Sequence, residues 1–193
     1  MSAGGGVFPR NAKSIVLSPE AQGMLGIDDP HPPGEDVVRA ILRMEADLLW
    51  NGGIGTYVKG SDESDTDVQD PVNDAVRIRA SELRVKVVAE GGNLGITPRA
   101  RIEFALAGGR IDTDAIDNSG GVDMSDHEVN LKIALAPAVA ARELSLDERN
   151  RLLAELTNEV SQAVLGHNRR QALALTLDQR RSVDDLAAFV EHA

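Results

Sequence analysis

Leu83-Arg84-Val85-Lys86-Val87-Val88-Ala89-Glu90-Gly91-Gly92-Asn93 is the stretch from which the fold can be read. Its first seven residues are rich in β-branched side chains and predict a strand, and the glycines that follow end it in a tight loop. Downstream, Thr97-Pro98 supplies a helix N-cap followed by proline at the first helical position, and Gly108-Gly109 closes that helix. Its expected apolar stripe is Ile102, Ala105 and Leu106. Upstream, Asp47-Leu48-Leu49-Trp50 reads as a short buried strand running into Asn51-Gly52-Gly53-Ile54-Gly55, and Arg110 to Thr113 reads as another strand running towards Asp117-Asn118-Ser119-Gly120-Gly121-Val122. Strands alternating with helices predict a parallel α/β sheet, in which ligands bind at the carboxyl ends of the strands. All three glycine loops fall there.

The flanking segments are helical or polar. Ser18-Pro19 opens a short helix that Gly26 can end, Asp28 to Gly34 is a proline-rich turn, and Glu35 to Glu45 has helical apolar spacing at Val37, Val38, Ile41 and Met44. Ser61 to Asp70 has no apolar period and reads as a solvated acidic loop. Ser125-Asp126-His127-Glu128 and Ser145-Leu146-Asp147-Glu148 both have the spacing of a capping box. The first predicts a helix to about Ala136. Beyond the second, Leu152, Leu156, Val160, Ala163 and Val164 form one apolar face, and Ala172 to Ala193 predicts further helix with Leu186, Phe189 and Val190 inward.

Composition narrows the function classes. The 193 residues carry 20 Lys and Arg against 31 Asp and Glu, a net charge of −11, and no cysteine. Disulfide frameworks, thiolate zinc sites and cysteine nucleophiles are excluded, and a reducing, cytoplasmic setting is expected. A strongly acidic chain without a basic stripe is a poor partner for nucleic acid, whose phosphates need Lys and Arg. No apolar run approaches the roughly 20 residues of a membrane span. Small-molecule chemistry is the expected class.

The loops carry what chemistry the pattern offers. Glycine lets a backbone approach a ligand closely, and asparagine presents a donor and an acceptor on one amide. The same glycines also serve as plain strand-to-helix turns, and Ser125 as a plain N-cap. His127 and Glu128 are adjacent on a helix and so face apart, which makes them surface or cap residues. His31, His167 and His192 are scattered, and no two histidines lie four apart, so no metal is expected. The acidic run Asp62, Glu63, Asp65 and Asp67 lacks the glycine and terminal glutamate of a calcium loop.

Taken together, Asp47 to Val58, Val88 to Gly95, and Asp117 to Asp123 with Ser125-Asp126-His127-Glu128 closely resemble the large bacterial type of NAD-specific glutamate dehydrogenase. The opening Ser2 to Arg10 and the tail Arg142 to Ala193 are similar to that family too. The resemblance implies a partial Rossmann-like parallel sheet with a helical C-terminal segment: residues 1–136 as the second half of an NAD-binding domain, and 137–193 as the helices that follow. It implies oxidation of L-glutamate to 2-oxoglutarate and ammonia, NAD as cofactor, glutamate or 2-oxoglutarate as small-molecule partner, and a homo-oligomeric parent. By the same resemblance Gly52, Gly53, Gly92 and Asn93 lie along the cofactor ribose, Asn118 holds the nicotinamide carboxamide, and Val122 and Ser125 face the substrate side chain.

No G-x-G-x-x-G turn occurs after an early strand, and the family's catalytic lysine and aspartate belong to a substrate domain upstream, so no catalytic residue is expected here. The chain reads as a segment entered partway, inactive alone. Two other readings stay open: a non-catalytic module docking a partner through its helical tail, and another amino-acid dehydrogenase, such as one acting on leucine. Ser125 suits a carboxylate better than an apolar side chain.

Overall fold

The computed structural model describes residues 5–191. Gly4 of the opening glycine run and His192 lie outside them. The chain falls into two compact units, Met1–Asp114 and Ala115–Ala193.

The first unit begins with α1 (Pro19–Leu25), whose N-cap Ser18 accepts from the Ala21 N–H and which ends at Gly26. Helix α2 (Gly34–Leu42) is shorter than its apolar spacing predicts, because the chain is already extended at Glu45. Strand β1 (Glu45–Asn51) leads through a glycine loop to β2 (Val58–Lys59), and α3 (Asp65–Val68) follows. A 3-10 turn precedes β3 (Ile78–Arg79), and β4 (Arg84–Glu90) is the predicted β-branched strand. Helix α4 (Pro98–Leu106) starts where Thr97 Oγ1 accepts from the Ala100 N–H, and β5 (Arg110–Ile111) follows it.

Strands β1, β4 and β5 form a parallel sheet in that order, with Asn51 opposite Glu90. A second parallel pair, β2 and β3, is continued by a bridge from Val58 to Ile96. Val58, Ile78, Ala80, Val88, Ile96, Ala100 and Phe104 make the core, with Leu49, Tyr57 and Ile111 packed against it. Burying each of the valine, isoleucine and phenylalanine side chains among them contributes about 1.5 to 3 kcal/mol.

Three expectations change here. β1 is an edge strand, not a buried one: Leu49 turns inward, while Leu48 is exposed and Trp50 is 58% exposed. In α4 the buried face is Ala100 and Phe104, leaving Ile102 63% and Leu106 84% exposed. Phe104 and Ala100 lie one helical turn apart and both join the core, so the stripe read at 102, 105 and 106 points elsewhere. The acidic stretch is not a free solvated loop either. Asp65 pairs with Lys59 and Arg77, Asp62 with Arg99, and the Thr56 N–H donates to Asp70 at 2.8 Å.

The second unit is helical. The short α5 (Asp114–Asp117) stands at the division, and α6 (Asp123–Ala140), α7 (Leu146–Glu155), α8 (Thr157–Asp184) and α9 (Leu186–Val190) follow. The Ser145 capping box forms as expected, with the Ser145 N–H donating to Glu148 at 2.9 Å. The Ser125 box does not form, because α6 begins at Asp123 and places Ser125 inside its first turn. The apolar face Leu152 to Val164 is split between α7 and α8 at Leu156, and Val164 is its fully buried member. Leu186 and Val190, expected inward, are exposed.

Candidate functional site

Parallel pairing fixes the first part of the site. With Asn51 opposite Glu90 in neighbouring parallel strands, the loops after β1 and β4 leave the same edge of the sheet side by side. They are joined by the Gly91 N–H, which donates to Asn51 O at 2.9 Å. A methyl group on Gly92 would lie 2.6 Å from Gly53 O, and one on Gly91 would lie 2.8 Å from the Trp50 ring. Gly52, Gly53 and Gly92 are therefore brought together as bare backbone, with the exposed Asn93 next in the chain. Gly95 is constrained for a related reason: its missing side chain leaves room for the Asn51 amide, whose Nδ2 is buried without an acceptor among the described residues.

Replacing Gly92 with alanine is expected to destabilise the first unit by about 1 to 3 kcal/mol, since a carbonyl oxygen rather than a flexible side chain stands in the way. Urea unfolding would measure the loss. A shift of the Gly53 amide resonance would locate it, and an unchanged midpoint would contradict the close approach.

Behind these loops lies an ion pair that spacing did not reveal. Glu90 is fully buried at the end of β4; its Oε1 accepts from Arg101 of α4 at 2.6 Å, and its Oε2 accepts the Gly95 N–H at 3.1 Å. Arg101 also donates to Asp112 O at 2.6 Å. Burial pushes the Glu90 carboxyl above its ordinary range, with the Arg101 charge opposing. The pair thus holds the Gly91–Gly95 loop by both of its ends. Leu94 N–H, in the same loop, donates to Asp114 at 2.7 Å.

The remaining predicted residues sit in the second unit, on one turn. Asn118 O accepts the N–H groups of Gly121 and Val122 at 2.9 and 3.0 Å, and a methyl on Gly121 would lie 2.6 Å from Asn118 Oδ1. Asn118 is half-buried, whereas Val122 and Ser125 are exposed. The turn is anchored by Asn168 of α8, whose Nδ2 donates to Ile116 O at 2.7 Å and to the buried Ser119 Oγ at 3.1 Å. The site residues expected from the sequence thus form two local groups, Gly52, Gly53, Gly92 and Asn93 in the first unit, and Asn118, Val122 and Ser125 in the second.

The profile of the family described as "Bacterial NAD-glutamate dehydrogenase, catalytic domain" matches residues 1–178. The chain belongs to this family. Among its relatives, the NAD-specific glutamate dehydrogenase of Pseudomonas aeruginosa is 50% identical over 189 residues, 98% of this chain. That of Halomonas elongata is 51% identical over 189 residues, again 98% of the chain. That of Mycobacterium tuberculosis is 52% identical over 179 residues, 89% of the chain. This family member spans only 11 to 12% of the length of those relatives. Among its described residues no helix is long and apolar enough to cross a membrane.

Proposed function

We infer that this chain is the nicotinamide-side part of an NAD-dependent glutamate dehydrogenase, in which L-glutamate is oxidised to 2-oxoglutarate and ammonia. The observation that carries the reading is the paired glycine loops at the carboxyl edge of parallel strands, where α/β sheets bind ligands. The bare backbone of Gly52, Gly53 and Gly92 at the mouth of these loops fits a dinucleotide's ribose side. When bound, NAD supplies the hydride acceptor.

The chain's own residues position the reactants. Gly52, Gly53 and Gly92 give the ribose close passage, and Asn93 hydrogen-bonds its hydroxyls. Asn118, held by its turn, orients the carboxamide and so selects the ring face presented to glutamate; positioning of this kind lowers a barrier by several kcal/mol. Val122 packs on the substrate side chain. Ser125, in the first turn of α6, meets the distal carboxylate where the helix dipole favours negative charge. Residues 1–136 are read as the second half of a Rossmann-like domain and 137–193 as its helical continuation, in a cytoplasmic, homo-oligomeric enzyme with no nucleic-acid partner. No catalytic residue is assigned to the chain, so alone it is inactive.

Calorimetric titration with NAD tests the reading, using this chain and the same chain joined to the segment that precedes it in the relatives. The longer polypeptide is expected to bind, and Asn93→Ala and Asn118→Ala each to weaken binding about tenfold, the loss of one or two amide hydrogen bonds. Absence of binding by both polypeptides would overturn the reading. A docking module would then move ahead, favoured by the exposed Leu173, Leu175, Leu177 and Val183 on α8.

A further inference from the structure

Asp123, His127 and His167 converge in the second unit in a way the proposed function does not use. Asp123 and His127 are four residues apart at the start of α6, on one helical face, and His167 comes from α8. Asp123 Oδ2 lies 2.8 Å from His167 Nδ1, and Oδ1 lies 3.5 Å from His127 Nε2. The two imidazoles stack, 5.5 Å between centroids and 14° between planes. One donor atom from each of the three residues lies within 4.8 Å of the other two, and all three residues are half-buried.

We propose that this trio is a binding site for a late first-row divalent cation of the zinc class. Two imidazoles and one carboxylate are the donor set such ions select, in contrast to the all-oxygen shells of calcium and magnesium. Donors about 2.0 to 2.2 Å from a tetrahedral ion stand roughly 3.4 Å apart, so the carboxylate–imidazole distances need little change, while binding turns the two stacked rings out of their near-parallel planes so that both in-plane nitrogens face the ion. Three protein donors leave a fourth position for water or an added ligand. The ion ties the first turn of α6, which carries Ser125, to α8, and partial burial shields it from competing solvent. The spacing gave no sign of it, since the histidines are forty residues apart and the third donor is an aspartate.

The test is titration of the chelator-treated chain with Zn2+ by calorimetry and with Co2+ by visible absorption. One equivalent is expected to bind. Removing an outer-shell partner of a metal ligand already costs about 10- to 100-fold in affinity, so His127→Gln and His167→Gln should each cost at least tenfold. His31→Gln should change nothing. A measurement on the unsubstituted chain avoids any folding defect: Zn2+ should shift the ring resonances of His127 and His167 and leave those of His31 in place. Lack of saturable binding, equal affinity in the His127→Gln/His167→Gln double variant, or unmoved His127 and His167 resonances would each overturn the proposal.

Discussion

Replacing Arg101 with alanine is expected to cost the first unit about 3 to 5 kcal/mol at neutral pH, the range seen when one partner of a buried ion pair is removed. The size follows from what remains. Glu90 has no solvent access, so without Arg101 its carboxylate keeps the Gly95 N–H but loses its counter-charge. The loss should depend on pH in a definite direction. Burial already raises the folded-state value for Glu90 above the unfolded one. A carboxyl of this kind stabilises the fold fully below its unfolded value, and that contribution is lost as pH rises through the folded value. Removing Arg101 raises the folded value further, so the penalty is greatest at neutral pH and shrinks as acid protonates Glu90. Urea unfolding followed by circular dichroism at pH 7 and pH 5 measures this. A penalty that grows towards pH 5, or one below about 1 kcal/mol at pH 7, contradicts the pair's role.

The second large effect is expected at Arg77, whose side chain is wholly buried. Its Nε donates to Thr56 O at 2.9 Å, one terminal nitrogen donates to Asp70 O at 2.6 Å, and the other meets Asp65 at 2.8 Å and also Asp74. Arg77→Ala strands two carbonyl oxygens and takes the arginine cation from Asp74 and Asp65, of which Asp65 keeps Lys59, a loss of about 3 kcal/mol, moderated because Asp65 and Asp74 reach solvent. Arg77→Lys should recover only part, since one ammonium cannot span the same fan of acceptors. Equal unfolding midpoints for Arg77→Lys and the unsubstituted chain would show that charge alone suffices. Asp65 and Asp70 titrate in the opposite sense to Glu90. Hydrogen bonds from Lys59 and then Arg77 hold Asp65 low, and the Thr56 N–H and Asn73 hold Asp70 low. Their contribution is present above the unfolded carboxylate value and fades as pH falls through the folded one.

What could be read in the sequence was local. β4, the Ser18 and Thr97 caps and the Ser145 capping box depend on residues within four positions of each other, and the structure has them where the pattern placed them. The Ser125 box failed for a reason outside that range. The turn from Asn118 winds directly into α6, with Met124 N–H on Ser119 O and Asp126 N–H on Val122 O, so backbone carbonyls satisfy the first helical donors and leave Ser125 nothing to cap. The acidic stretch was misread because its main cation, Arg77, arrives from a separate element. The Glu90–Arg101 pair and the convergence of His167 on Asp123 are likewise products of packing. Of the candidate site, the glycine loops were legible because strand ends announce themselves; the ion pair that holds one of them was not.

Trp50 is the chain's single tryptophan, and its indole lies against the two glycine loops, so close that a methyl on Gly52 would fall 3.2 Å from its Nε1. The consequence is optical. Indole emission responds to the water around the ring, and this ring is half-exposed beside the loops proposed to pass the ribose. The protein therefore carries a built-in fluorophore at its own doorway. Occupancy of the loops, as proposed above, can be followed by emission colour and quenching, without a label.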